Sequence, residues 1–311
     1  MDLFLSGFSA MLAMATPLIF AAIGELLTER AGILNLGLEG MMLAGALSGA
    51  VATIETGSPV VGILAAMAAG GAMAALHAFI VIERAGRYNS WSIILSGLGI
   101  FYLGAVTKVL GKGYIQVQVH GFPTLRLGAI GLTGAWDTLL RAVLEHNLFV
   151  PLALILVVAI QILLFRTKWG LRLRLVGENP MAAESVGLNV RRIRWISTVV
   201  GGMIVSLGGA AMTLGELSHW QNGITAGKGW IAVGLVVFSG WRPFRLLGGA
   251  LLFGWVLGFI PRAQLLGWVD SSYLLAMLPY LATILALVVT FRSRSGPAAL
   301  ARPFQPRERI R

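Results

Sequence analysis

No cysteine occurs anywhere in the 311 residues. That excludes disulfides, thiol nucleophiles and Cys-ligated metals, and it leaves the redox compartment unmarked. Charge is nearly as scarce: 12% of residues are charged, against about 25% in an ordinary soluble domain. The four histidines, His77, His120, His146 and His219, are scattered without ligand spacing. They read as packed or interfacial residues rather than metal ligands. No HExxH, GxSxG or paired-carboxylate spacing appears, so nothing assembles a nucleophile, a base and an orienting group. Two glycine-rich stretches hold a lysine, GKG at 111–113 and GITAGKG at 223–229. Neither is a phosphate loop, because glycine follows the lysine where a hydroxyl must hold magnesium. Any ATP-driven work therefore needs a motor on another subunit.

What fills the chain instead is hydrocarbon: 57% of residues are hydrophobic and the mean hydropathy is +0.82. Apolar segments fall near 3–24, 37–55, 60–82, 91–110, 148–165, 196–215, 224–240, 246–260 and 272–291. Stretches of this kind cross about 30 Å of hydrocarbon, and with so little strand-like alternation they are helices. The 224–240 and 246–260 segments are short and glycine-containing, which predicts broken or tilted helices. The first segment follows only Asp2 and ends without a small-residue cleavage site, so it reads as a span rather than a signal peptide. The expected fold is an all-α integral membrane protein with about nine transmembrane helices, within a range of eight to ten.

The net charge of +11 is not a nucleic-acid signature, because the basic residues cluster between apolar segments as the positive-inside rule requires. The 166–195 loop holds Arg166, Lys168, Arg172, Arg174, Arg191, Arg192 and Arg194, and the 292–311 tail is equally Arg-rich. Both are placed in the cytoplasm, together with Arg30, Arg84, Arg87, Arg242 and Arg245. Only Lys108, Lys112, Arg126, Arg141, Lys228 and Arg262 then fall outside. The transmembrane domain runs over 1–291, with the amino terminus out and the carboxyl terminus in. The outer loop 111–147 carries Asp137, Arg141 and Glu145 on one face and Trp136 and Leu140 on another, which predicts an interfacial amphipathic helix. The tail, rich in Pro and Arg, is expected to lie disordered against the inner leaflet.

Three stretches stand out. In the cytoplasmic loop, Asn179 is a good N-cap, Pro180 suits the first helical position and Gly187 is a natural stop. The helix between them is too short to hold in water alone, and Ala182 and Ala183 permit a close partner. A loop about thirty residues long exceeds an ordinary connector, so this helix reads as a docking element for a cytoplasmic subunit. In GITAGKGWIAVGLVVFSGWRP (223–243), Thr225, Gly227 and Gly229 permit either tight helix packing or an irregular backbone lining a cavity. TERAGILNLGLEG (28–40) places Glu29, Arg30, Asn35 and Glu39 among glycines. Glu29 and Arg30 are expected as a hydrated pair at the inner boundary, and Asn35 as a cap for the returning helix. Glu39 either satisfies freed backbone amides or lines a pathway, and the structural role is the cheaper one for a buried carboxylate. Ionisable residues inside spans are otherwise sparse, which weighs against a proton relay.

TERAGILNLGLEGMMLAGA (28–46), GLRLRLVGENPMAAESVGLNVRRIRW (170–195) and GITAGKGWIAVGLVVFSGWRP resemble, in order and over nearly the whole chain, the permease subunits of bacterial ABC importers. This group handles branched-chain amino acids, simple sugars and nucleosides. The NLGLEGM spelling is most similar to the nucleoside branch, which works with lipoproteins of the basic-membrane-protein type and pairs a longer with a shorter permease. The resemblance implies a pseudo-symmetric permease fold with discontinuous helices in the bacterial inner membrane. It implies as partners a second permease (the longer paralogue), a cytoplasmic ATPase that binds ATP and magnesium, and an external binding lipoprotein. No cofactor is implied on this chain. Gly177, Glu178, Asn179, Pro180, Ala182, Ala183 and Gly187 match the coupling helix that docks on the ATPase. Asn35, Glu39, Asn89, Trp91, Ser96, Thr225, Gly227 and Gly229 are the candidate pathway or gate residues. Trp91 departs from the branch, which has a smaller or polar residue there. With no charged cluster in the membrane the expected cargo is a small neutral solute, a nucleoside or a related compound. A simple sugar, or an ATP-independent carrier, is the alternative.

Overall fold

The computed structural model describes residues 2–84, 98–104, 118–123, 146–265 and 296–304, with a few isolated positions between them. Helix α1 covers Asp2–Arg30, α2 Leu38–Thr56 and α3 Pro59–Ala78, the last continued by a π-helical stretch Phe79–Arg84. Further along the chain come α4, Phe149–Arg166, α5, Lys168–Glu178, and the short α6, Pro180–Ser185. Helix α7 covers Val190–Ala211 and ends in a π-helical turn, Met212–Glu216, followed by α8, Lys228–Ser239, and α9, Pro243–Leu265. Among the described residues, five helical stretches are long and apolar enough to cross a membrane, by length and composition: Gly7–Arg30, Pro59–Arg84, Phe149–Arg166, Val190–Glu216 and Pro243–Pro261. Every segment expected to be helical is so, except that most of 91–110 and 272–291 falls outside the described residues, as does the expected outer-loop helix around Asp137 and Arg141.

Helices α1 and α7 are the centre of the bundle. In their apolar windows 78% of residues are buried, against 33% in those of α3, α4 and α9, so the latter carry the outward, lipid-compatible surface. Helix α7 packs on α1, α2 and α3, and α1 also packs on α8 and α9. Lipid tails are as apolar as leucine, so helices associate by close packing rather than by hydrophobic force. The contacts show it. Gly201 of α7 lies against Gly24 and Thr28 of α1, and a Cβ there would sit 2.6 Å from the Gly24 carbonyl oxygen. On the other flank Ser206 of α7 fits between Gly45 of α2 and Gly70 of α3.

The chain breaks its helices where the candidate site residues sit. At about 1.5 Å per residue, the 12 residues of α8 rise only about 18 Å, short of a full crossing. The broken helix expected in this region is present, but it starts at Lys228 rather than 224. Its first turn meets the start of α2, and its far end meets the end of α1. The segment 217–227 therefore leads to a helix start, at Lys228, that packs on the beginning of α2.

Candidate functional site

Helix α2 begins after Gly37, which offers no side-chain cap, and its second residue is Glu39. The Glu39 side chain turns away from its own helix. Its Oε1 accepts hydrogen bonds from the Thr225 hydroxyl at 2.5 Å and the Gly227 amide at 2.9 Å, and Oε2 accepts one from the Gly229 amide at 2.7 Å. Thr225 is fully buried and Glu39 is 6% exposed. A helix start leaves backbone N–H groups without partners and carries partial positive charge. The carboxylate of α2 is thus the N-terminal cap of α8, supplied from 188 residues away. Gly227, at φ +82°, turns the chain into α8. A Cβ on Gly229 would lie 2.6 Å from the Glu39 amide nitrogen and Cα, so only glycine permits this approach. The two stretches that were separate in the sequence form one clamp.

Asn35 does not cap α2. Its Oδ1 accepts from the Gly37 amide at 2.9 Å, its own amide donates to Glu25 Oε1 at 2.9 Å, and its Nδ2 approaches the Met41 sulfur at 3.4 Å. It braces the 31–37 connection against α1. Glu29 and Arg30 are not the expected hydrated pair either. Glu29 is fully buried and accepts from the Trp241 indole N–H at 2.5 Å, while Arg30 donates through Nε and Nη2 to the Trp241 carbonyl at 3.1 and 2.7 Å. Consecutive residues of α1 therefore hold both ends of the tryptophan that follows α8. A lone apolar-run tryptophan gave no sign of this in the sequence. Trp241→Phe keeps the ring and the carbonyl contact but deprives the buried Glu29 of a donor. A hydrogen bond to a charged group is worth about 1.5–3 kcal/mol, and a matching loss of thermal stability in detergent is the expected measurement.

The cytoplasmic loop is three capped helices rather than one. Thr167 Oγ1 accepts from the Gly170 amide at the start of α5, and Asn189 Oδ1 from the Arg192 amide at the start of α7. Between them Asn179 Oδ1 accepts from the Ala182 amide at 3.0 Å, Pro180 occupies the first turn of α6, and Gly187 follows it at φ +81°. Helix α5 was not anticipated, because its five basic and glycine positions mask an amphipathic period. Ala183 is fully buried on Val176 and Val190, whereas Met181 and Val186 face outward at 41% and 68% exposure. Gly177 lies against the Arg30 carbonyl, and its own carbonyl accepts from the Ala299 amide at 2.9 Å. Glu178 Oε2 accepts from the Ala298 amide. The tail segment 296–304 is therefore packed protein, contrary to the expected disorder, with Ala299 only 5% exposed. On α7, Arg194 is buried, donating to the Ala31 carbonyl and lying over the Phe304 ring.

Asn89, Trp91 and Ser96 lie outside the described residues. Among the described residues no group of three or more His, Asp or Glu could hold a metal ion.

The family model described as the permease component of branched-chain amino acid transport systems matches residues 7–291. A candidate glucose ABC transporter permease protein of Haloferax volcanii is 37% identical, the match covering 88% of each chain. A guanosine ABC transporter permease protein of Bacillus subtilis is 32% identical over 95% of each. A nucleoside ABC transporter permease protein of Lactococcus lactis is 33% identical over 93% of each. No solved structure is a significant match.

Proposed function

The chain belongs to the family of permease components of branched-chain amino acid transport systems, and from that premise we propose that it forms half of the translocation pathway of an ATP-driven importer in the inner membrane. A separate cytoplasmic ATPase hydrolyses ATP, an external lipoprotein delivers the solute, and a second, longer permease supplies the other half. The cargo is a small neutral solute of the nucleoside class. The relatives from Bacillus subtilis and Lactococcus lactis carry nucleoside names, and the NLGLEGM spelling agrees. A simple sugar is the second reading, favoured by the 37% identity of the Haloferax volcanii relative.

One observation carries the transport mechanism: an unbroken set of contacts from α6 to the Glu39 clamp. Gly177, at the end of α5 beside α6, touches Arg30, which holds Trp241 at one end of α8. The other end of α8 is held by Glu39. Movement of α6 by a closing ATPase dimer would thus reach α8 through rigid elements, tilting a helix too short for a full crossing. Coupling of this kind requires a contiguous element that both sites bias.

Reconstitution tests it. In proteoliposomes holding both permeases, the ATPase and the lipoprotein, solute uptake is expected only with ATP inside the ATPase-accessible compartment. Uptake by this chain alone down a solute gradient would establish the carrier reading instead. Competition between guanosine and glucose for the purified lipoprotein decides between the two cargo classes.

A further inference from the structure

The segment 296–304 touches α5, α6, α7, the 31–37 connection and the turn after α8. Gly296 packs on the Trp241 ring, the Ala301 amide donates to the Gly32 carbonyl at 3.2 Å, and Ala299 and Ala298 bind Gly177 and Glu178 as described. The Arg302 carbonyl accepts from Arg194 at 3.4 Å. Phe304 joins the cluster of Val176, Ala183 and Val190 on which α6 is seated. A groove of about 550 Å³ runs between the two, with Glu178, Asn179 and Met181 on one wall and Ala298, Arg302 and Phe304 on the other. On the opposite flank of α6, Phe304 also walls a second groove of about 300 Å³.

We propose that this segment is the second half of the ATPase docking surface, so that the ATPase seats in the groove between α6 and the tail rather than on α6 alone. The inference rests on the reading of α6 as the coupling helix. Two features favour one occupant. The groove is continuous with the outward face of α6, where Met181 and Val186 stand exposed. The charge on and around it is net basic, with Arg302 exposed in the groove and Arg172 and Arg192 exposed on the flanking α5 and α7, against Glu178, which accepts from the tail amide, and half-buried Glu184. Such a face is complementary to an acidic protein surface, and charge of this kind governs encounter and register.

The absence of native cysteine makes single-cysteine probes unambiguous. Met181→Cys, Ala298→Cys, Arg302→Cys and, as an outer control, Thr56→Cys are labelled with a maleimide in the full-length chain, with and without its purified ATPase subunit. Labelling of Met181→Cys, Ala298→Cys and Arg302→Cys is expected to slow at least about tenfold on assembly, with Thr56→Cys unchanged. Arg302→Glu is expected to weaken ATPase binding about tenfold and to flatten its salt dependence. Protection of Met181→Cys with unchanged labelling at Ala298→Cys and Arg302→Cys would overturn the tail proposal and leave the coupling helix standing. Unchanged labelling at all three inner positions would overturn both.

Discussion

Glu39→Ala is expected to abolish uptake and to lower the thermal midpoint of the purified chain more than any other single substitution in the bundle. The carboxylate takes three hydrogen bonds from one loop, two of them from the amides that open α8. Removing it leaves those donors unpaired in a site closed to water, where each lost bond to a charged acceptor is worth about 1.5–3 kcal/mol. The losses do not add fully, and a total of about 3–5 kcal/mol is the expected scale for breaking a buried charged network. Glu39→Gln is a sharper probe, because it preserves shape. Its amide places an NH2 donor where either Gly227 or Gly229 already presents an N–H, so one bond becomes a donor–donor repulsion. Uptake reduced at least about tenfold is expected, with a smaller stability loss than for alanine. Wild-type uptake and melting in both variants would show that Glu39 does not cap α8.

Ala183→Arg is expected to abolish transport and stimulation of ATP hydrolysis while the chain still inserts. Ala183 is fully buried beneath α6 on Val176 and Val190. An arginine there must either bury an unpaired charge, which costs several kcal/mol, or lift α6 from its seat. The second course is cheaper for a six-residue helix, which is marginal without tertiary packing. The result is an α6 displaced relative to Gly177 and Arg30, so that ATPase movement no longer reaches α8. Half-buried Ala182 offers the comparison: Ala182→Arg leaves the seat intact and acts only on a docked partner. If Ala183→Arg imports solute at the wild-type rate, the path from α6 to the clamp is not the coupling route.

The cap of α6 was readable because it is local: Asn179, Pro180 and Gly187 lie within nine positions, and N-cap and C′ preferences act over one turn. The helices themselves were readable because hydrocarbon admits few alternatives to them. Glu39 was recognisable as costly, but the partner that satisfies it was not, since Thr225, Gly227 and Gly229 are nearly two hundred residues away. Glu29 and Arg30 were misplaced for the same reason. At the end of an apolar helix, charges are hydrated by default, and nothing local indicates that Trp241 arrives to bury them.

Composition, periodicity and cap residues alone determined that this chain lives in a membrane, where most of its long helices run and which loop carries a short capped helix. All of these follow from solvent and from interactions spanning a few residues. Only the tertiary structure decided that Glu39 caps α8, that α8 begins at Lys228 against the start of α2, and that the tail folds against Gly177 and Gly32. Those depend on which glycines let two backbones meet, and close approach between distant segments is a property of packing that no local pattern encodes.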